Sequence, residues 1–225
     1  MGSWLAHGGS ERPESREENS ESGQIPSVGR LFSGSLRLTM QTNFRDILYL
    51  SRGTESQRLA YQCLCELDIF AALAHYDPVL VSSVCLDIDT PQSDLDIICE
   101  VHNVERFERD VGARYAQYPR FTIRRSSTNS QATVCQFFTP NFEIEIFGEA
   151  VPVERQNGFR HLVQIERAIT LGGSPLREEL RALKLRGEKT EPALASLLSL
   201  EGDPYQAVLL LEQMSDEAIR IRSGL

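Results

Sequence analysis

From residue 54 onward the apolar residues fall into short periods with clear punctuation. Thr54 followed by Gln57 makes a capping box, in which each side chain serves the other residue's backbone N–H. Behind it, Leu59/Ala60, Cys63/Leu64, Leu67 and Phe70/Ala71 recur at helical spacing, predicting a helix to about His75. The period then changes. Pro78 precedes an apolar run, VLVSSV, that reads as a strand, and DLDIIC (94–99) reads as the next. Asn103 can cap a helix through VERFERDVGARYAQY, and three short strand signals follow: FTIRR, ATVCQFF and FEIEIFG. The remaining residues are helical in pattern. Gly172-Gly173 stops one helix, and Ser174-Pro175 opens another that ends at Gly187. Thr190 and then Asp203-Pro204 start two more. One helix, two strands, a helix, three strands and a helical bundle make an α+β protein with a mixed sheet, not an alternating doubly wound one.

Residues 1–40 break from this pattern. They are rich in Ser, Gly and Glu and poor in large apolar groups, so burial cannot offset the entropy of ordering them. We read them as a disordered, dispensable leader, with Met40, just before QTNFRDILYL, as a candidate start. Residues 41–225 form the domain, with its sheet core at about 76–150 and its C-terminal helices at about 154–222. The chain has 225 residues, 41% of them hydrophobic, which suffices for one substantial core. A net charge of −9 argues against a nucleic-acid partner, because phosphate contacts need a basic face. No apolar run approaches the roughly 18–20 residues of a membrane span, and the start lacks the basic and apolar regions of a secretory signal. The five cysteines sit inside apolar periodic segments, as reduced thiols of a cytoplasmic protein do.

The anomaly is in SDLDII. Asp is among the residues least suited to strands, yet Asp94 and Asp96 stand two apart and so share one pleated face. FEIEIFG repeats the arrangement, with Glu143 and Glu145 on one face and Phe142, Ile144 and Ile146 on the other. If the two strands are neighbours, the carboxylates converge, and bare carboxylates packed closely repel. Hard divalent cations resolve that conflict, because Mg2+ accepts a few carboxylate oxygens together with water and substrate phosphate. The plain alternative is an amphipathic strand with one wet face, which weighs more for the glutamates than for the aspartates. A calcium loop starting at Asp87 fails, since Gln92 stands where its turn glycine belongs and Ile98 where its bidentate Glu belongs.

An apolar strand VLVSS, then SDLD, then an acidic residue on a later strand resembles the nucleotidyltransferase superfamily that includes DNA polymerase beta and the antibiotic nucleotidyltransferases. DPVLV, SDLDIICEV, FEIEIFG, VPVERQNGFRHL, KTEPALASLL and LEGDPYQAVL resemble, more closely, an uncharacterised bacterial family assigned to that fold, over about residues 44–213. In the superfamily two strand aspartates bind metal and a third carboxylate completes the site. The resemblance therefore implies Asp94, Asp96 and Glu145 as catalytic and metal-binding residues, with Glu143 the lesser choice, and Mg2+ or Mn2+ as cofactor. It also implies a nucleoside triphosphate and an unidentified acceptor as substrates. The superfamily's Gly-Ser pair is replaced by Ser82-Ser83, where a Cβ would crowd a phosphate, and the third carboxylate is Glu rather than Asp. Ser82, Ser83 and Arg160 are the candidate nucleotide contacts. Arg160 and His161 read equally as a solvated helix face, Arg124-Arg125 as phosphate contacts only if that strand end opens on the site, and Lys184 and Lys189 as surface residues. Two expectations of different class remain: an Mg2+-dependent nucleotidyltransferase, or a catalytically silent module of the same fold that binds a partner.

Overall fold

The computed structural model describes residues 42–126 and 132–224; the leader at 1–40 lies outside them. The Thr54 capping box forms: Thr54 Oγ1 accepts from the Gln57 N–H at 3.3 Å and Gln57 Oε1 accepts from the Thr54 N–H at 3.0 Å. It opens α1 (Glu55–Glu66), which ends earlier than the apolar period suggests. Asp68 adopts a left-handed backbone (φ 52°), which interrupts the N–H ladder and leaves α2 (Ile69–Ala72) as a separate turn. The VLVSSV strand is also shorter than expected. Only β1 (Val79–Leu80) pairs, and Ser83–Leu86 tightens into a 3-10 helix. The cause is tertiary, since the Ser82 Oγ donates to the Asp94 carbonyl (2.5 Å) and Gln57 Nε2 donates to the Val84 carbonyl (2.9 Å), drawing the chain out of the sheet.

The other elements follow the pattern. They are β2 (Leu95–Glu100), α3 (Val104–Tyr115, capped by Asn103), β3 (Thr122–Arg125), β4 (Thr133–Phe138) and β5 (Glu143–Glu149). The C-terminal helices are α4 (Asn157–Leu185), α5 (Thr190–Leu197), α6 (Pro204–Leu210) and α7 (Asp216–Arg222). The Gly172-Gly173 stop is a break inside α4, where Gly173 has φ 65°. The sheet order is β1-β2-β5-β4-β3, with β2 and β5 parallel and every other pair antiparallel. The fold is thus mixed α+β, as the pattern predicts.

Each sheet face has its own cover. Leu95, Ile97, Ile144, Ile146, Cys135 and Phe137 face α3, whose Tyr115 ring stacks on Phe137 with centroids 5.0 Å apart. Gly148 lets α3 approach, because a Cβ there would lie 2.6 Å from Val101 Cγ2 and 3.1 Å from Phe107. The opposite face carries Ile98 and Phe147 as an apolar floor, then the acidic residues toward the N-terminal ends of β2 and β5. All five cysteines are free, four of them buried and Cys65 exposed, as the divergent directions of an i, i+2 helical pair require. Among the described residues no helix is long and apolar enough to cross a membrane.

Because the α1 cap also holds the segment after β1, its loss has a defined size. Thr54→Ala should destabilise the protein by about 1 kcal/mol, roughly 2–4 °C in Tm. Thermal denaturation checks this, and an unchanged transition would show that the cap is frayed in solution.

Candidate functional site

In the parallel β2–β5 pair, Asp96 stands directly opposite Glu145. Paired residues on neighbouring strands point the same way, and the strands lie about 4.8 Å apart. Asp94, one step before the first paired residue of β2, projects on that same face, as does Glu143, the first residue of β5. The convergence expected from the two acidic strands is therefore present. Asp96 is fully buried and Glu145 nearly so, whereas Asp94 and Glu143 are partly exposed.

The electrostatics of this patch are unfavourable as it stands. Neither carboxylate oxygen of Asp96 accepts a hydrogen bond from a donor. Burial first, then the negative charges of Asp94, Glu145 and Glu191, holds the Asp96 carboxyl well above the usual carboxylate range. Asp94 is raised as well, chiefly by burial and then by Glu143. Glu145 has partial compensation from Arg124 Nη2 at 3.8 Å. Gln136 donates its amide to Glu143 from the adjacent strand.

Among the described residues no group of three or more His, Cys, Asp or Glu side chains forms a ready-made metal cage. The donor chemistry nonetheless suits a hard cation. Mg2+ is held by one or two carboxylates and keeps several waters, so it does not require a closed protein cage. Asp96 presents two buried oxygens with no donor, and Asp94 and Glu145 add carboxylates on the same face. Carboxylate oxygens are the donor type that Mg2+ or Mn2+ takes.

Ser82 and Ser83 are brought to this end of the sheet. Ser82 is buried and extended (φ −74°), so its backbone makes no demand for glycine, and its hydroxyl is spent on the Asp94 carbonyl. Ser83 Oγ lies 3.2 Å from Ser93 Oγ. Arg160 is not brought there: its guanidinium forms a two-point pair with Glu212 at 2.9 Å and 2.9 Å, pinning α4 to the C-terminal helices. An open groove of about 560 Å3 adjoins the acidic end, lined by Ser56, Asp89, Thr90, Ser93, Phe142 and Arg181 among others. Ser93 and Phe142 directly precede Asp94 and Glu143.

The model of a domain of unknown function, DUF4269, matches residues 62–211, well over half of the chain. The chain belongs to the DUF4269 family. The match contains β1 to β5 and both aspartates, so the acidic face lies wholly within the DUF4269 domain. No curated protein and no solved structure matches the chain.

The C-terminal part of the DUF4269 domain contributes residues that the sequence pattern conceals. Glu191, in the first turn of α5, is 3% exposed, and its charge reaches Asp96. His161 is equally buried. Its Nδ1 lies 3.2 Å from Glu191 Oε1 and its Nε2 3.0 Å from the Tyr205 carbonyl. A carbonyl only accepts, so Nε2 carries the proton of the contact with Tyr205. Lys184 is half-buried and donates to Thr190 Oγ1 at 2.9 Å across the α4–α5 turn. His161 and Lys184 therefore depart from the surface reading. The only sequence signal for Glu191 is a carboxylate inside the otherwise apolar TEPALASL helix.

Proposed function

We propose that this protein is a metal-dependent nucleotidyltransferase, moving a nucleoside monophosphate from a nucleoside triphosphate to a small acceptor, and that it belongs to the nucleotidyltransferase superfamily. The reading is supported above all by the β2–β5 register, which sets Asp96 opposite Glu145 with Asp94 on the same face and both Asp96 oxygens buried without a donor. Asp94, Asp96 and Glu145 would hold Mg2+ or Mn2+, and the ion when bound supplies neutralisation of phosphate charge and acidification of the acceptor hydroxyl. The acceptor oxygen forms a bond to the α-phosphorus, the α–β P–O bond breaks with its electrons leaving on pyrophosphate, and the hydroxyl proton passes to Glu145 or to solvent. Asp94, at the exposed end, faces the entering substrate. The fully buried Asp96 fixes the depth of the site. The open groove lined by Ser93 and Phe142, the residues before Asp94 and Glu143, would take the acceptor. Apolar Ile98 and Phe147 beneath the carboxylates keep the local dielectric low, which strengthens each charge interaction.

Differential scanning fluorimetry of the metal-free full chain tests this directly. Mg2+ or Mn2+ should raise Tm, and ATP, GTP, CTP or UTP should raise it further only in the presence of the metal. A ligand at 100 times its Kd contributes about 2.7 kcal/mol, a shift of roughly 5–10 °C for a chain of this size. Each triphosphate, labelled at the α-phosphate, is then incubated with the protein and a cell extract, and a labelled product is the positive result. A metal shift with no triphosphate effect means a silent module of the same fold, and no response to either means the enzyme reading is wrong.

A further inference from the structure

The open groove beside the acidic face combines negative charge with exposed apolar surface. Glu55 and Asp89 line it, and Asp94 and Glu143 directly follow its Ser93 and Phe142. Neutral donors serve two of these carboxylates, Ser56 Oγ donating to Asp89 at 2.5 Å and the Gln136 amide to Glu143. Among the described residues no cation pairs with any of the four, and the groove's own Arg181 is bound to Asp87 at 2.5 Å. Leu59, on the outer side of α1, is 38% exposed and lines the same groove with Pro91 and Phe142. Carboxylates without cations beside exposed apolar side chains suit an occupant that is both basic and apolar.

The chain itself carries such a segment. Residues 1–21 hold five Glu against Arg12 and Arg16, whereas no acidic residue stands between Glu21 and Asp46. Within that acid-free stretch, residues 28–39 (VGRLFSGSLRLT) place Arg30 and Arg37 around Leu31, Phe32, Leu36 and Leu38. Its position in the chain also fits. The domain is entered through the 3-10 helix Ile47–Arg52, which runs directly into Thr54 and Glu55 at the edge of the groove. From Ser35 to Thr42, the first described residue, the chain can span up to about 24 Å. A tether of this kind holds a segment at an effective concentration on the order of millimolar.

We propose that residues 28–39 of this same chain dock in the groove, with Arg30 and Arg37 against its carboxylates and the four apolar side chains over Leu59, Pro91 and Phe142. The docked segment covers the approach to Asp94 and Glu143, so a ligand for that face has to displace it. Exposed ion pairs are individually weak, so the hold comes from the tether and is reversible. This inference goes beyond the transferase reading and requires neither metal nor nucleotide. For residues 28–39 alone it replaces the expectation of a dispensable leader, which averaged an acidic half with a basic one.

The test uses the full chain, without metal or nucleotide. Phe32 is replaced by the photoreactive p-benzoylphenylalanine, and the protein is irradiated at low salt. Mass spectrometry should find cross-links within one chain, at Leu59, Pro91, Phe142 or their immediate neighbours. NaCl at about 0.5 M, which shortens the screening length to about 4 Å, should lower their yield about fivefold. Arg30→Glu with Arg37→Glu should do the same at low salt, and it alters no residue of the described domain. Cross-links scattered outside the groove, or a yield indifferent to both changes, overturn the proposal. Cross-links to a second chain overturn it too, because the occupant then comes from another copy.

A second measurement needs no photolabel. Trypsin should cut the wild type after Arg37 about fivefold more slowly than it cuts Glu55→Lys/Asp89→Lys, whereas cleavage after Arg16 should be equal in the two proteins. Equal rates after Arg37 would mean that the groove does not hold the segment, and the proposal fails.

Discussion

Asp96→Asn should raise the melting temperature of the metal-free protein while abolishing its response to Mg2+ and any transfer activity. The substitution keeps the shape of the side chain and removes a carboxylate that is fully buried, accepts no hydrogen bond and faces Asp94, Glu145 and Glu191. Relief of that charge should stabilise the empty fold by about 1–2 kcal/mol, or roughly 3–6 °C. Loss of an essential metal ligand should lower activity by a factor on the order of a thousand or more, since the ion supplies several kcal/mol of transition-state stabilisation. The opposite movement of stability and activity marks a site maintained at a cost to the fold. A variant less stable than the wild type in chelator would mean that Asp96 serves a structural network instead.

The same variant carries a pH signature in the metal-free state. The folded protein holds the Asp96 carboxyl above its unfolded value, so between those two values the folded state binds a proton that the unfolded state does not. Wild-type stability should therefore increase as pH falls through the folded value, and level off below the ordinary carboxylate range. Asp96→Asn should lack that component. Urea titrations of both proteins in chelator from pH 8 to pH 4 should give curves that converge toward acid. Parallel curves would show that Asp96 ionises normally in the fold.

The second large effect is expected at the buried His161–Glu191 pair. His161→Leu leaves the Glu191 carboxylate buried, without the imidazole that lies 3.2 Å from it, and within electrostatic reach of Asp96. Removing one member of a buried pair costs about 3–5 kcal/mol, here a fall of roughly 10 °C in Tm. Replacing both, His161→Leu with Glu191→Leu, should recover most of the loss, because no unpaired charge remains and the site can close with apolar groups. A double-mutant cycle by thermal denaturation decides it. Strictly additive losses would show that the two side chains stabilise the helices independently.

Much of the architecture was legible along the chain because the deciding interactions are local. The Thr54–Gln57 box, the Asn103 cap and Asp203-Pro204 begin helices through hydrogen bonds within three residues, and all three appear where the pattern places them. The period of two in SDLDII and FEIEIFG determined that Asp94 shares a face with Asp96, and Glu143 with Glu145, before any neighbour was known. The α+β class and the strand boundaries of β2 to β5 followed from the same alternation, within a residue or two.

What required the folded molecule depends on partners far away in sequence. VLVSSV carries an apolar strand pattern, but Gln57 and the Asp94 carbonyl capture its second half into a 3-10 turn. The helix expected to run to His75 ends where Asp68 turns left-handed, a choice that the helical period does not encode. Whether two acidic strands become one site depends on β2 pairing with β5 in parallel, a crossover that no local signal specifies. His161 and Glu191 lie on helices whose sequence does not mark them as buried, and only the packing of the C-terminal helices buries them, as it folds Lys184 inward onto Thr190. Periodicity reports which residues share a face, because it is written into the backbone geometry of a single element. Which face then meets water or another carboxylate is a property of the assembled elements, and it was decided only in three dimensions.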